Sequence, residues 1–280
     1  MALIDNLIAY YKLDETSGTV VYDSLVTFNG TNNGATVNQS GKINTSYSFD
    51  GTNDYVSSDS NIGITGSNSR TINIWFNKNN YSADDDYLIN LGYNGGGSTN
   101  TFFGFSIRSD VIYALLYAND FSTGVTPSHS TWYMVTLTYD GTIVRAYVNG
   151  SASGTYTGAL STNNAPVYLG GLNAAGFFNG KLDEAGVWSR ALTSDEVTEL
   201  YNSGNGWSYS LDNTFVASVL TLSTTSQSPL YLITISKNNL SLSLSLKSPT
   251  IIKVKDVVYN YNYKAISKNF PVPYKIRMKL

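Results

Sequence analysis

The sequence contains no cysteine, which excludes disulfides, zinc–thiolate centres and thiol nucleophiles. It has one histidine, His129, set in a Pro127-Ser-His-Ser130 turn, so a Ser–His–Asp relay has a single candidate base, read here as a loop residue. Glutamate is almost as scarce: Glu15, Glu184, Glu196 and Glu199 are the whole set. A pair of carboxylates at working separation for glycoside hydrolysis would have to draw on aspartates, and nothing in the spacing points to such a pair. No catalytic residue is therefore assigned, and the chain is read as non-enzymatic. Long apolar runs are missing too. No window reaches the roughly 18 residues of a membrane span, and the first fifteen residues lack the basic start and apolar stretch of a secretory signal.

What is present is tyrosine, glycine and small polar residues: 22 Tyr and 24 Gly in 280 residues, with 42% hydrophobic and 13% charged positions. That composition suits short strands joined by tight turns, and the length is enough to bury a core without cross-links. The clearest hairpin runs from Trp132 to Gly150. Trp132–Tyr139 leads into Asp140-Gly141, and Thr142–Val148 leads into Asn149-Gly150, dipeptides that supply the positive φ of hairpin turns. Further strands are expected at 8–13, 46–49, 55–57, 71–76, 87–91, 102–108, 112–117, 167–169 and 182–188. One helix is expected: Thr193-Ser-Asp-Glu196 is a capping box, Val197, Leu200 and Tyr201 share a face, and Gly204 ends it. Many short strands with almost no helix give an all-β class, two antiparallel sheets in a sandwich.

Composition breaks near Ser208. Every Gly and Trp lies at or before Trp207, and charge divides the same way: residues 1–210 carry 8 Lys plus Arg against 18 Asp plus Glu, residues 211–280 carry 9 against 2. The domains are read as 1–208, a sandwich, and 209–280, a basic β-rich tail. In the tail Leu240–Leu246 alternates Leu and Ser, and Leu220, Leu222, Ser223, Ser228 and Pro229 recur twenty residues on. Lys253, Lys255, Lys264, Lys268, Lys275, Arg277 and Lys279 interleave with Tyr259, Tyr261, Tyr263 and Tyr274. Such a surface can stack and neutralise single-stranded nucleic acid, but docking on an acidic protein surface is the favoured reading.

Several segments in order resemble the laminin-G-like domains of the concanavalin A-like superfamily found in bacterial and phage surface proteins. They are Tyr10–Gly18 with Asp23, Tyr47–Gly51 with Asp54-Tyr-Val56, Thr71–Trp75, Trp132–Gly150, and Asn179–Leu192 running into the capped helix. The resemblance implies a concanavalin A-like jelly roll that commonly binds glycans or proteins and often holds one structural Ca²⁺. By resemblance, Asp23 and Asp183 are candidate Ca²⁺ ligands, with carbonyls from the Gly30–Gly34 turn and Asp50 as a third carboxylate. Loops that mix aromatics with Asn near Gly supply the candidate sugar contacts: Tyr81, Tyr93, Asn94, Asn119, Phe121, Asn173 and Phe177. Trp75, Trp132 and Trp188 are read as core, and Asp84-Asp-Asp86 as a solvated loop. A front domain followed by Leu/Ser-Pro strands also resembles phage structural proteins. The expectation is a glycan- or receptor-binding protein of a virion surface or the extracellular space, anchored to other assembly proteins through its tail, with a homo-oligomer left open. The alternative is a structural virion decoration protein with no ligand.

Overall fold

The structure is a computed structural model, and it describes residues 2–80, 85–93, 96–172 and 176–209. Contacts separate a unit Met1–Tyr209 from the remainder of the chain. The expectations for the tail, for Tyr81, Asn94 and Asn173, and for Asp84 lie outside the described residues.

Two antiparallel eight-stranded sheets face each other. In the first, neighbouring strands run Ser151–Thr157, Ile143–Val148, Trp132–Tyr139, Arg70–Lys78, Asn179–Trp188, Thr45–Asp50 and Thr36–Ser40, and Leu7–Tyr11 pairs with the far half of Asn179–Trp188. In the second they run Phe121–Ser122, Val111–Leu115, Phe103–Arg108, Asp86–Leu91, Tyr168–Leu169, Tyr55–Ser58, Gly30–Asn33 and Val20–Val21. Alternation along each strand sends Ile72, Ile74 and Phe76 from one sheet, and Phe103, Phe105 and Ile107 from the other, into a shared core. The expected hairpin forms, with Tyr139 opposite Val144 and Val135 opposite Val148. Asn149 and Gly150, with φ of 50° and 78°, make a two-residue turn into Ser151–Thr157.

The outer face of the first sheet is closed by its own chain. Helix Ser194–Tyr201 starts on the Thr193/Glu196 capping box and ends at Asn202 in the left-handed conformation, two residues before Gly204. Its Val197 and Leu200 join Leu3, Leu7, Tyr10, Trp75, Met134 and Trp188 in a second apolar cluster, with Trp132 partly buried against it. Trp75 stacks on Tyr201 at 5.7 Å, and Trp188 Nε1 donates to the Leu3 carbonyl at 2.6 Å. That leaves the outer face of the second sheet as the broad strand surface that no helix covers among the described residues.

Candidate functional site

Register determines what the second sheet presents outward. Leu169 and Val56 point into the core, so Tyr168, its partner Ser57 and nearby Tyr55 point out. The row continues through Asn90, opposite Tyr168, to Gly104 and Leu115. One step along the strands, Tyr113 faces Ser106, which faces Tyr87. Above this row the rings of Tyr55, Tyr168, Tyr93, Phe102 and Tyr117 touch in sequence, with centroids 6.3, 5.7, 5.9 and 5.2 Å apart. Most pairs meet edge to face or tilted, the arrangement ring quadrupoles favour. Tyr117 is 42% exposed, Tyr55, Tyr93 and Tyr168 are half-buried, and Phe102 is buried beneath them.

Two polar features accompany the rings. Asn90 is fully buried, and neither its amide nitrogen nor its oxygen has a partner. A buried amide in that state costs a few kcal/mol, which an enclosed water would recover. Four residues along the strand from Gly104, Arg108 lies 4.8 Å over the Tyr113 ring and makes a two-pronged contact with Asp85, Nε at 2.8 Å and Nη2 at 3.0 Å. Its Nη2 also reaches Asp120 at 3.1 Å, and Asp120 Oδ1 accepts the Leu116 and Tyr117 amides. These carboxylates hold the guanidinium well above its ordinary pKa, and the Tyr87 hydroxyl among them is pushed up to about 12, mainly by burial. Of the Asp84–Asp86 run, the described Asp85 and Asp86 are therefore not residues of a solvated loop. Asp85 pairs with Arg108, and Asp86 is buried 3.7 Å from Lys78 Nζ.

The loop residues named from sequence divide on inspection. Tyr93 sits in the ring series. Asn119 donates to Asn100 Oδ1 at 2.8 Å and ties two loops together, Phe121 is half-buried against the core on an edge strand, and Phe177 packs on the Gly171 backbone. Tyr168, Phe102, Asn90, Asp85 and Arg108 were not picked out. The readable signal for Arg108 was an isolated cation in an apolar strand, a position that requires an acid nearby.

Of the residues named for Ca²⁺, Asp23, Asp50 and the Gly30–Asn33 carbonyls do not gather around one ion. Asp23 is buried, and its carboxylate accepts the backbone amides of Tyr10, Leu25, Thr27 and Phe28 at 2.8–3.1 Å, which uses its lone pairs. Asp50 is exposed and accepts from the Thr52 amide. Gly30–Asn33 is a ladder strand rather than a turn, hydrogen-bonded on both sides, so its carbonyls do not gather around an ion. Among the described residues no three His, Asp or Glu side chains are grouped to hold a metal ion.

Asp183 remains, next to Glu184 in a bulge of strand Asn179–Trp188. Both are fully buried, and Glu184 has φ of 49°. Asp183 Oδ2 accepts the Lys42 and Ile43 amides at 2.7 and 3.0 Å while Oδ1 has no partner. The Tyr10 and Ser208 hydroxyls face Glu184 and favour its ionised form, yet neither completes a hydrogen bond, because Tyr10 donates to the Trp207 carbonyl at 2.8 Å. Burial pushes the Glu184 carboxyl up to about 7, and burial with the neighbouring Glu184 charge pushes Asp183 further.

Two facing antiparallel sheets, one backed by a short capped helix, define a concanavalin A-like jelly roll. The chain belongs to the concanavalin A-like lectin/glucanases superfamily: the Laminin_G_3 family model matches residues 50–198. Among solved structures it is similar to domain 4 of AbnA, a GH43 extracellular arabinanase from Geobacillus stearothermophilus, in complex with arabinotriose. That match has 18% identity and a TM-score of 0.56, over 69% of this chain and 97% of that one. Trypanosoma rangeli sialidase matches at 17% identity and a TM-score of 0.57, over 72% of this chain and 33% of the sialidase. The binding domain of botulinum neurotoxin serotype D matches at 14% and 0.53, over 71% and 51%. These likenesses establish the fold, which binding modules and enzyme chains share. No curated protein matches the sequence.

Proposed function

We propose that this protein is a non-enzymatic glycan-binding module whose binding surface is the outer face of the second sheet. The observation that carries this reading is the contiguous series Tyr55, Tyr168, Tyr93, Phe102 and Tyr117 on that face, with Tyr117 exposed and the other three tyrosines half-buried. Aromatic rings offer a sugar's C–H face an apolar platform, and a few fixed polar groups orient it. The superfamily membership supports the same reading, as does a structural neighbour solved with arabinotriose.

Binding is favoured over catalysis because the strands of the proposed face carry no glutamate. Glu184 is buried on the first sheet, Glu196 caps the helix, and Glu15 accepts the Tyr22 amide and the Tyr47 hydroxyl. On the proposed face Asp85 and Asp120 both neutralise Arg108. The basic segment 211–280 then serves as an anchor to a larger acidic assembly, a virion surface in this reading, and a receptor protein is the second class of ligand the same face would suit. Affinity electrophoresis of the full chain through gels containing arabinan, galactan or glucan tests the proposal. Retardation by at least one polymer, lost in Tyr168→Ala, supports it. Release of reducing ends, or retardation unchanged in that variant, contradicts it.

A further inference from the structure

Charge on this face restricts the class of glycan. Arg108 is the one Lys or Arg carried by the strands of the second sheet among the described residues. A free guanidinium beside an aromatic platform would select carboxylated or sulfated sugars through bidentate contacts. Here the Nε and Nη2 donors are already taken. Asp85 occupies the fork with both oxygens, Asp120 takes a second contact on Nη2, and the Tyr113 ring covers the guanidinium plane. Ser106 adds a hydrogen bond to Asp85 at 2.8 Å, and the Leu116 and Tyr117 amides hold Asp120. The triad therefore carries one positive and two negative charges, rigidly placed. Lys78, which reaches Asp86 at one end of the same sheet, is fully buried and bonded to Asp110 at 2.7 Å. What the face offers besides carbon and this triad is neutral: tyrosine hydroxyls, groups that exchange hydrogen bonds with sugar hydroxyls in both directions.

Resting on the reading of this face as the glycan site, we infer that it binds neutral glycans and excludes acidic ones, with the Asp85–Arg108–Asp120 triad as the element that sets this selectivity. An anionic sugar placed on the rings meets a net negative neighbour, and removing that neighbour's carboxylates converts the same arginine into an attractor. The tail carries positive charge of its own, so only binding that requires Tyr168 is counted.

The test uses the full chain on paired ligands of matched length: neutral arabinan, galactan and glucan oligosaccharides against sialylated, uronic-acid and sulfated ones. The wild type is measured alongside Tyr168→Ala and the double variant Asp85→Asn/Asp120→Asn. In the wild type the Tyr168-dependent affinity is expected to be at least about tenfold higher for a neutral ligand than for its acidic counterpart. In the double variant the Tyr168-dependent affinity for the acidic ligand is expected to gain about tenfold relative to that for its neutral counterpart. Tyr168-dependent binding of acidic glycans as tight as or tighter than neutral ones overturns the inference and leaves the glycan-binding reading standing. Absence of any Tyr168-dependent binding overturns both. If the double variant does not fold, the wild-type neutral-to-acidic ratio decides alone.

Discussion

Glu184→Gln should stabilise the protein at pH 8 and do nothing at pH 4. Glu184 is fully buried, with Asp183 adjacent, Asp14 and Lys12 within electrostatic range, and the Tyr10 and Ser208 hydroxyls facing it. Its folded carboxyl titrates at about 7 against an ordinary 4.5, because desolvation outweighs what the hydroxyls and Lys12 return. The folded state therefore holds this proton more tightly than the unfolded chain does. Stability is full below the unfolded value and declines as pH rises through about 7, after which the loss is constant. At 1.36 kcal/mol per pH unit the loss above pH 8 is about 3 kcal/mol, and Asp183, shifted in the same direction, adds to it. Glutamine preserves the shape and removes the ionisation, so the variant should recover roughly 2–3 kcal/mol at pH 8. In a domain of this size that corresponds to a Tm increase of about 5–10 °C. Differential scanning calorimetry of both proteins at pH 4, 6 and 8 gives the answer. A Tm difference independent of pH would refute the reasoning. So would a wild-type Tm that is flat with pH and falls on adding a chelator, because a cation rather than protons would then balance the pair.

Asp23→Ala should cost at least about 3 kcal/mol by chemical denaturation, since four backbone amides lose a shared buried acceptor, while Asp23→Asn should recover part of this. Thr193→Ala removes one half of the capping box and should cost about 1 kcal/mol without altering glycan retardation. Gly104→Ala places a Cβ 2.8 Å from Asn90 Nδ2 and against the Ile89 carbonyl, so it should weaken glycan binding about tenfold and destabilise the sheet by roughly 1–3 kcal/mol.

How far the sequence reached depended on burial. Central strands that are buried on both faces, such as Arg70–Lys78 and Phe103–Arg108, wrote an apolar pattern that marked them within a residue or two. The strands that were not foreseen, Val20–Val21, Gly30–Asn33, Thr36–Ser40, Phe121–Ser122 and Ser151–Thr157, are short or polar and mostly lie at sheet edges, where no core demands hydrophobic side chains. Ser151–Thr157 left a trace nonetheless: a two-residue Asn-Gly turn after one strand requires another to follow. The site was less legible because its members come from distant stretches. Tyr55, Asn90, Phe102 and Tyr168 become neighbours only through strand order, and Tyr93 was recognised because aromatic and Gly-rich loop signals coincide at that one position. The Ca²⁺ assignment of Asp23 failed on a local point. Asp23 looks like a metal ligand in sequence but folds its own loop around itself, and carboxylates that organise backbone amides carry the same sequence signature as carboxylates that organise cations.

Whether the second sheet's outer face is the binding surface is measured most directly by backbone and side-chain amide NMR of the full chain during titration with a neutral oligosaccharide that retards it. The account predicts shift changes at the Asn90 side-chain amide and the Gly104, Tyr93, Tyr117 and Tyr168 backbone amides, with Trp75, Trp188 and helix Ser194–Tyr201 unmoved. Changes centred on the helix-covered sheet, with Asn90 and Tyr168 silent, would contradict it.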